Sequence, residues 1–331
     1  MRLFGKRPPK QTTRLFFATD LHGSERTFRK FLNAGPYYEA DVLIMGGDIL
    51  GQRAIPIIRE GGGRYRATLQ GRAETLEGEA ALEQLQTRIG LLGFYSQVMD
   101  LDEFHTVQAD PAAVEQLFRR LARARLEAWV DLAETRLAGT SIKCYICGGN
   151  DDYPDVLEAL QRAGAEHVFA CEGLALPLDG THHLLSVGFS TPTPWHTPRE
   201  ATDEQLAAMI GELVAQAPDP STCIFNFHDP PVDSTLDTTV RLDPESDPPV
   251  AMIKDGQEVV YGAGSRAVRE ALEKHQPVLG LHGHIHESPG AVKVGRTLCI
   301  NPGSEYGEGV LRGCVVDLSA GQVDAYELTT G

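Results

Sequence analysis

Basic residues are the scarce charged type in this 331-residue chain: 30 Lys plus Arg stand against 46 Asp plus Glu, a net charge of −16. A protein that grips a nucleic acid polymer or an anionic membrane through a broad face needs a cationic footprint. This composition disfavours both partners, while leaving room for a local anion site. Long apolar runs are missing as well, since none approaches the ~18 residues that span a bilayer. The cationic start, with Arg2, Lys6, Arg7, Lys10 and Arg14, lacks the apolar core of ~7–15 residues that a secretory signal carries behind such charges. Residues 1–13 therefore read as a flexible tail and the protein as cytoplasmic. The six cysteines sit mostly inside apolar runs such as Cys144-Tyr-Ile-Cys147, which suits buried thiols rather than a disulfide framework. No second Cys or His pair completes a zinc site with Cys144 and Cys147.

What is present is a core. Hydrophobic residues make up 42% of the chain, and the length allows two domains or one large α/β domain with an insertion. Short, nearly continuous apolar runs recur: Leu15 to Thr19, Val42 to Met45, Cys144 to Cys147, Leu184 to Val187, Cys223 to Phe227, Val278 to Leu281, Thr297 to Ile300 and Cys314 to Val316. Such runs are what strands buried on both faces look like. Helical spacing lies between some of them, over Pro154 to Ala163, Thr202 to Ala217 (opened by the capping box Thr202-x-x-Gln205) and Arg266 to Lys274. Alternating strands and helices indicate βαβ units.

Residues 52–140 break this rhythm and read as a mostly helical cap or insertion subdomain within a domain spanning 14–331. Gly61-Gly-Gly63 with Tyr65, Ala67 and Leu69 predicts a small hairpin, and Leu82, Leu85, Ile89 and Leu92 keep helical spacing. Asp110-Pro111 starts a further helix whose expected apolar stripe is Val114, Leu117, Leu121, Ala124, Ala128 and Leu132. A second irregular stretch, from Asp229 to Gly264, is rich in Pro and Asp.

The chemistry lies in the polar residues that follow the strands. In open α/β sheets functional groups gather beyond the carboxyl ends of the strands. Those places hold Asp20, His22, Asp48, Asn150, Asp151, His228, His282, His284 and His286, all metal-ligand or acid/base types. His284 and His286 are two apart, so an extended segment would present both rings on one face. Each fragment alone is weak, whereas five in order, each after a strand, make a strong pattern.

In the ordered blocks Asp20-x-His22, Gly47-Asp48, Gly149-Asn150-Asp151, His228 and Gly283-His284-x-His286 the sequence resembles the calcineurin-like metallophosphoesterase family. Through His228-Asp-Pro-Pro231, Gly264-Ser265 and Asn301-Pro-Gly-Ser304 it is similar to the Icc-related branch of phosphoesterases. The resemblance covers about two-thirds of the chain and leaves the insertion outside. It implies a four-layer αββα sandwich, an α/β fold, holding two divalent metal ions. One would be held by Asp20, His22, Asp48 and His286, the other by Asp48, Asn150, His228 and His284, with Asp48 bridging. Two such ions acidify water and neutralise phosphoryl oxygens during in-line displacement. The donor set favours Mn or Fe, with Zn as a further candidate. The implied activity is hydrolysis of a small phosphate ester by a metal-bound hydroxide, with a phosphodiester or nucleotide-like substrate preferred. A catalytically weak or inactive scaffold on the same fold, and a nuclease, are the alternatives. Nothing in the sequence sets an oligomeric state.

One departure matters. Many relatives follow the metal-binding Asn with a His that protonates the leaving group, and here Asp151 stands in that place. An aspartate serves as general acid only with a raised pKa, which two nearby cations oppose. A leaving group that needs no proton, donation by His22 or His282, and weak activity are the three ways out. Asp152 is expected as the cap of the following helix, His182-His183 as a surface turn, and Asn301-Pro-Gly-Ser304 as a structural turn bordering the site. Trp195-His196 offers a substrate wall. Arg64, Arg66 and Arg72 are expected as solvated hairpin charges rather than a phosphate clamp.

Overall fold

The structure is a computed structural model that describes residues 12–161, 165–243, 246 and 248–331. The expected N-terminal tail lies almost wholly outside the described residues, as does the end of the helix read over Pro154 to Ala163.

The chain runs through β1 (Thr13–Ala18), α1 (Glu25–Tyr38) and β2 (Val42–Met45) before the insertion. The insertion carries β3 (Ala54–Gly61), β4 (Arg64–Leu69), β5 (Arg72–Glu77), α2 (Glu79–Leu91), β6 (Tyr95–Met99), α3 (Leu101–Gln108) and α4 (Pro111–Leu137). Then follow β7 (Lys143–Ile146), α5 (Pro154–Leu157), β8 (Val168–Ala170), β9 (Ala175–Pro177), β10 (His183–Val187), α6 (Asp203–Val214) and β11 (Ile224–Phe227). Four short strands, β12 (Thr238–Val240), β13 (Ile253–Lys254), β14 (Gln257–Glu258) and β15 (Val260–Gly262), lead to α7 (Arg266–His275). The chain closes with β16 (Leu279–Leu281), β17 (Gly290–Val294), β18 (Thr297–Asn301), β19 (Arg312–Ser319) and β20 (Gln322–Thr330).

Two six-stranded sheets result, ordered β20-β19-β1-β2-β7-β8 and β17-β18-β16-β11-β10-β9. Strand alternation decides the layers. Leu15, Phe17, Val42 and Ile44 of the first sheet pack against Leu184, Ile224, Leu279, Leu281 and Ile300 of the second. The intervening residues Phe16, Ala18, Leu43 and Met45 face α1 and α4, and Leu185, Phe225 and Phe227 face α6 and α7. This gives a helix–sheet–sheet–helix order. The centre strands β1, β2 and β7 run parallel, as do β10, β11 and β16. Their carboxyl ends lie at the same edge of their respective sheets.

Local signals explain the helices that cover the sheets. Thr202 forms both halves of its capping box with Gln205, and Ser265 caps α7 by accepting from Val268 N. The long helix α4 begins as Asp110-Pro111 dictates, with the Asp110 side chain accepting from Ala112 N. Its buried face is not the stripe read from the sequence: Val114, Ala124 and Ala128 are exposed, and Ala122, Leu126, Trp129, Val130, Ala133 and Leu137 are buried. Trp129 sets the rotation, stacking on Phe28 of α1 with ring centroids 4.0 Å apart. One indole buries far more area than two alanines. Thus α4 belongs to the outer layer of the main core, while β3 to β6 and α2 form a four-stranded sheet with a small core of their own around Ile57, Tyr65, Leu85 and Ile89. The glycine-turned hairpin is only one corner of that sheet.

Two smaller readings need correction. His182 is not a surface turn residue but is 1% exposed: its Nδ1 lies 2.8 Å from Asp179 Oδ2, and its Nε2 accepts from Gly321 N. Asp152 does not cap α5, whose capping residue is Tyr153. Its buried carboxylate instead accepts from Ile49 N, Leu50 N and Gly149 N. Three amide donors converging from two loops outweigh the one or two that a helix start offers.

Candidate metal centre

Each ligand-type residue stands one to five residues past a strand end, and the backbone ladder continues far enough to aim it. Asp20 N donates to Gly47 O and His22 N to Asp48 O, both at 2.9 Å, so the loops after β1 and β2 stay in register. In the second sheet Gly283 N donates to His228 O at 2.9 Å. Asp20, His22, Asp48 and His284 all take left-handed backbone, with φ of 55, 41, 47 and 67°. Non-glycine residues with such angles concentrate where a chain must turn sharply for function. Gly149 permits the closest approach, because a Cβ there would lie 2.1 Å from Asp48 Oδ1.

These loops bring two triplets together, Asp20–His22–His286 and Asp48–His228–His284, each offering ligand atoms within 4.8 Å of one another. A third triplet, His22–Asp48–Asp151, joins them. His22 Nε2 lies 3.2 Å from His286 Nε2 and 3.8 Å from Asp48 Oδ2, and His286 Nε2 is 3.2 Å from Asp20 Oδ1. His228 Nε2 is 3.4 Å from Asp48 Oδ2 and 3.8 Å from Asp20 Oδ1. Asn150 is buried, with Nδ2 donating to Thr197 Oγ1 at 3.0 Å. His282 is not part of a triplet: its Nδ1 bonds Phe227 O at 2.8 Å, and its Nε2 lies near Gly280 on the face that packs against Leu272 of α7.

The electrostatics are those of charge crowded away from water. Burial raises the Asp48 carboxyl, but the charge of His228 outweighs it and holds Asp48 well below the usual carboxylate range. Burial likewise opposes Asp20, which His286 and His228 draw down. His228 is itself pulled down by burial and raised by Asp48 and Asp20, to about 10. Burial pushes His22 and His284 down to about 4, leaving their rings neutral. Asp151 is pushed up to about 6, first by burial and then by Asp48. Its Oδ2 lies 3.6 Å from His22 Nδ1 and accepts from Gln52 Nε2 at 2.6 Å.

This set suits divalent cations. Two buried carboxylates face ring nitrogens, and Asn150 Oδ1 and His22 Nδ1 are buried without a hydrogen-bond partner. Buried charge of this kind is costly unless compensated, and lone pairs that converge without a donor are what a cation takes up. The donors are oxygen and imidazole nitrogen, with no thiolate among the triplets.

Several supporting residues stand around the centre, and beyond the Asn301-Pro-Gly-Ser304 turn they carry no sequence signal. Asn301 Nδ2 donates to Ile285 O (2.9 Å), Leu236 O (3.2 Å) and Gly283 O (3.4 Å), and its Oδ1 accepts from Gly303 N, so it clamps the segment bearing His284 and His286. Ser304 adds bonds to Asp20 O and His286 O. The ring of Tyr306 lies 4.6 Å from that of His22 and 6.0 Å from that of His286. From the insertion, Arg125 donates to Gly23 O and the Tyr95 hydroxyl accepts from Gly51 N. Gly93 touches His22 O so closely that a Cβ would stand 2.3 Å away. Arg66, by contrast, pairs with Glu60 in solvent. Side-chain contacts that join distant loops leave no period or motif behind, and only the Pro-Gly turn after Asn301 hinted at one of them.

The stacked sheets, outer helices and Asp/His groups at the strand ends define a four-layer α/β sandwich with a cluster of metal-ligand side chains at one edge. TT1561 of Thermus thermophilus is similar in fold, with a TM-score of 0.53 and 13% identity over 97% of this chain and 98% of that one. A second solved structure gives the same values. At that identity the likeness is one of fold alone. A novel archaeal phosphodiesterase aligns over 96% of this chain and 100% of its own at 10% identity, with a TM-score of only 0.34. No family model matches the chain, and no curated protein does. Among the described residues, no helix is long and apolar enough to cross a membrane.

Proposed function

We propose that the chain is a binuclear metal-dependent phosphoesterase that hydrolyses a small phosphate ester. The observation that carries this reading is the pair of Asp/His triplets, each drawing on both sheets and joined through His22 and Asp48. In this reading Asp20, His22, Asp48 and His286 hold one divalent ion and Asp48, Asn150, His228 and His284 the other, with Mn or Fe favoured by the donors. The ions would supply about +4 of charge to draw in and neutralise the phosphoryl oxygens, and would acidify water for in-line attack. The protein's own part is positional. Left-handed turns and amide clamps hold the ligands before substrate arrives, and Tyr306 walls the side next to His22. Asp151 and Gln52 border the centre where relatives carry a His, which supports a substrate whose leaving group needs little protonation, such as a phosphodiester or nucleotide-like molecule. The net charge of −16 supports a small ligand over a polyanion. All six cysteines are free and buried, which supports a reducing, cytoplasmic setting.

The test is metal analysis of the purified chain together with hydrolysis of bis(p-nitrophenyl) phosphate in added Mn2+. Two bound ions and hydrolysis lost in Asp48→Asn are expected. Two ions without hydrolysis would instead leave a scaffold, and absence of metal would refute the whole reading.

A further inference from the structure

We infer that Thr197 and Glu200 determine which end of the Asn150 amide faces the metal centre; the inference rests on the binuclear reading above. The argument is one of hydrogen-bond polarity. The Thr197 hydroxyl donates to Glu200 Oε1 at 2.9 Å, and the same oxygen accepts from Thr197 N at 2.8 Å and from the Thr193 hydroxyl at 2.6 Å. A carboxylate only accepts. Burial pushes Glu200 up, but these bonds outweigh it and hold the group below its ordinary value, in the accepting form. The single proton of the Thr197 hydroxyl is therefore committed to Glu200, and its oxygen has only lone pairs left.

Asn150 meets those lone pairs at 3.0 Å, so only the NH2 end of its amide can sit there. The carbonyl end is forced to the opposite side, where Oδ1 is buried with no partner. The next residue, Asp151, donates its backbone N to Asp48 Oδ1 at 2.9 Å, which keeps this loop against the shared carboxylate. An amide oxygen can coordinate a divalent cation, and an amide NH2 cannot. The sequence Glu200, Thr197, Asn150 thus sets the coordinating atom. Thr197 and Glu200 are positioning residues on the loop after β10, outside every motif of the sequence.

The experiment titrates Mn2+ into chelator-stripped full chain by calorimetry, with electron paramagnetic resonance reporting the exchange-coupled pair. Wild type is expected to take two ions. Thr197→Val should weaken one of them about 10–100-fold, the usual effect of losing a group that orients a metal ligand. An uncoupled Mn signal should then persist past one equivalent. Thr197→Ser keeps the hydroxyl and should restore the coupled pair. Glu200→Gln keeps an oxygen where Thr197 N and both hydroxyls donate and should bind as wild type, whereas Glu200→Ala removes that acceptor, freeing the hydroxyl proton to favour the flipped amide, and should weaken the same ion. In an N150D background both side-chain oxygens accept, so adding T197V should cost less than threefold.

Wild-type binding of both ions by Thr197→Val overturns the inference alone. So does an equal loss in the Asn150 and N150D backgrounds, which would mark a merely structural role. If Thr197→Val has lost its far-UV dichroism, Glu200→Ala decides by the same two outcomes. A wild-type chain that binds no Mn2+ sinks the binuclear reading and this inference with it.

Discussion

Replacing Asn301 separates a clamp from a filler. Its side chain is fully buried, donates to Ile285 O and Leu236 O, and accepts from Gly303 N at 2.8 Å. Asn301→Ala leaves Leu236 O and Gly303 N without partners and Ile285 O with only the 3.3 Å bond from Ser288 N; each buried orphan costs about 1 kcal/mol or more and the vacated space adds to it, so the loss is about 3 kcal/mol. Asn301→Asp keeps the shape and the bond from Gly303 N, yet it turns a charged oxygen toward two carbonyl oxygens. The isosteric change should therefore cost at least as much as the truncation, the reverse of what packing alone would give. A chain of 331 residues has an unfolding entropy of about 0.7 kcal/mol/K, so 3 kcal/mol corresponds to a melting-point drop of about 4 °C. Calorimetry of metal-free protein reads this directly, and Mn2+ titration should show weaker binding because the clamp holds the segment of His284 and His286. An aspartate variant that melts with wild type, or above the alanine variant, would refute the reasoning.

Asp48→Asn should lower kcat/KM for a diester at least ~10³-fold, since Asp48 belongs to two of the three triplets; steady-state kinetics in saturating Mn2+ checks it. Trp129→Ala should cost about 3–5 kcal/mol by opening a cavity where the indole stacks on Phe28, measured by urea unfolding. Trp195, 66% exposed beside the Thr193–Glu200 bonds, should matter only for substrates with a ring to stack: Trp195→Ala should raise KM several-fold for a nucleotide-like diester and leave kcat unchanged. Burial raises Asp179, but bonds from His182 and Thr13 hold it below the carboxylate range. Its stabilisation is therefore complete above the ordinary pKa of about 3.8 and fades as pH falls further. The stability gap between wild type and Asp179→Asn, followed by acid melts, should be constant near pH 6 and shrink below pH 4.

The sandwich was legible because burial on both faces leaves a dense signature, as in Val42 to Met45, and because the polar residues after such strands have nowhere to go but the edge of the sheet. The ladder bonds of Asp20 and His22 show why that reading works: the loops prolong the strands. The rotation of α4 was not legible. Alanine spacing imitates a stripe, and only contact with Phe28 selects the Trp129 face. Thr197, Glu200 and the bonds of Asn301, though not its turn, were hidden for a different cause. Each acts through bonds to residues 16 to 65 positions away, or through a neighbour that does, and no local pattern encodes such a partner. His182 was misplaced because a short polar pair in a loop looks solvated until the loop is seen to be covered, and Asp152 because an acid just before Tyr153-Pro154 looks like a helix cap until its three amide donors are seen.

Asp20 and His286, 3.2 Å apart in space, are 266 positions apart in the chain. At the ~5–20 residues per second of protein synthesis, about 13–53 s separate their appearance. Within that interval, from the synthesis of Asn150 to that of His228, Asp20, His22, Asp48 and Asn150 exist without any histidine of the second sheet. An ion met early could find only the oxygen-rich half of its ligands, and a weak, labile hold on it. In the binuclear reading, tight capture would wait for the strands that carry His228, His284 and His286 to dock against the first sheet.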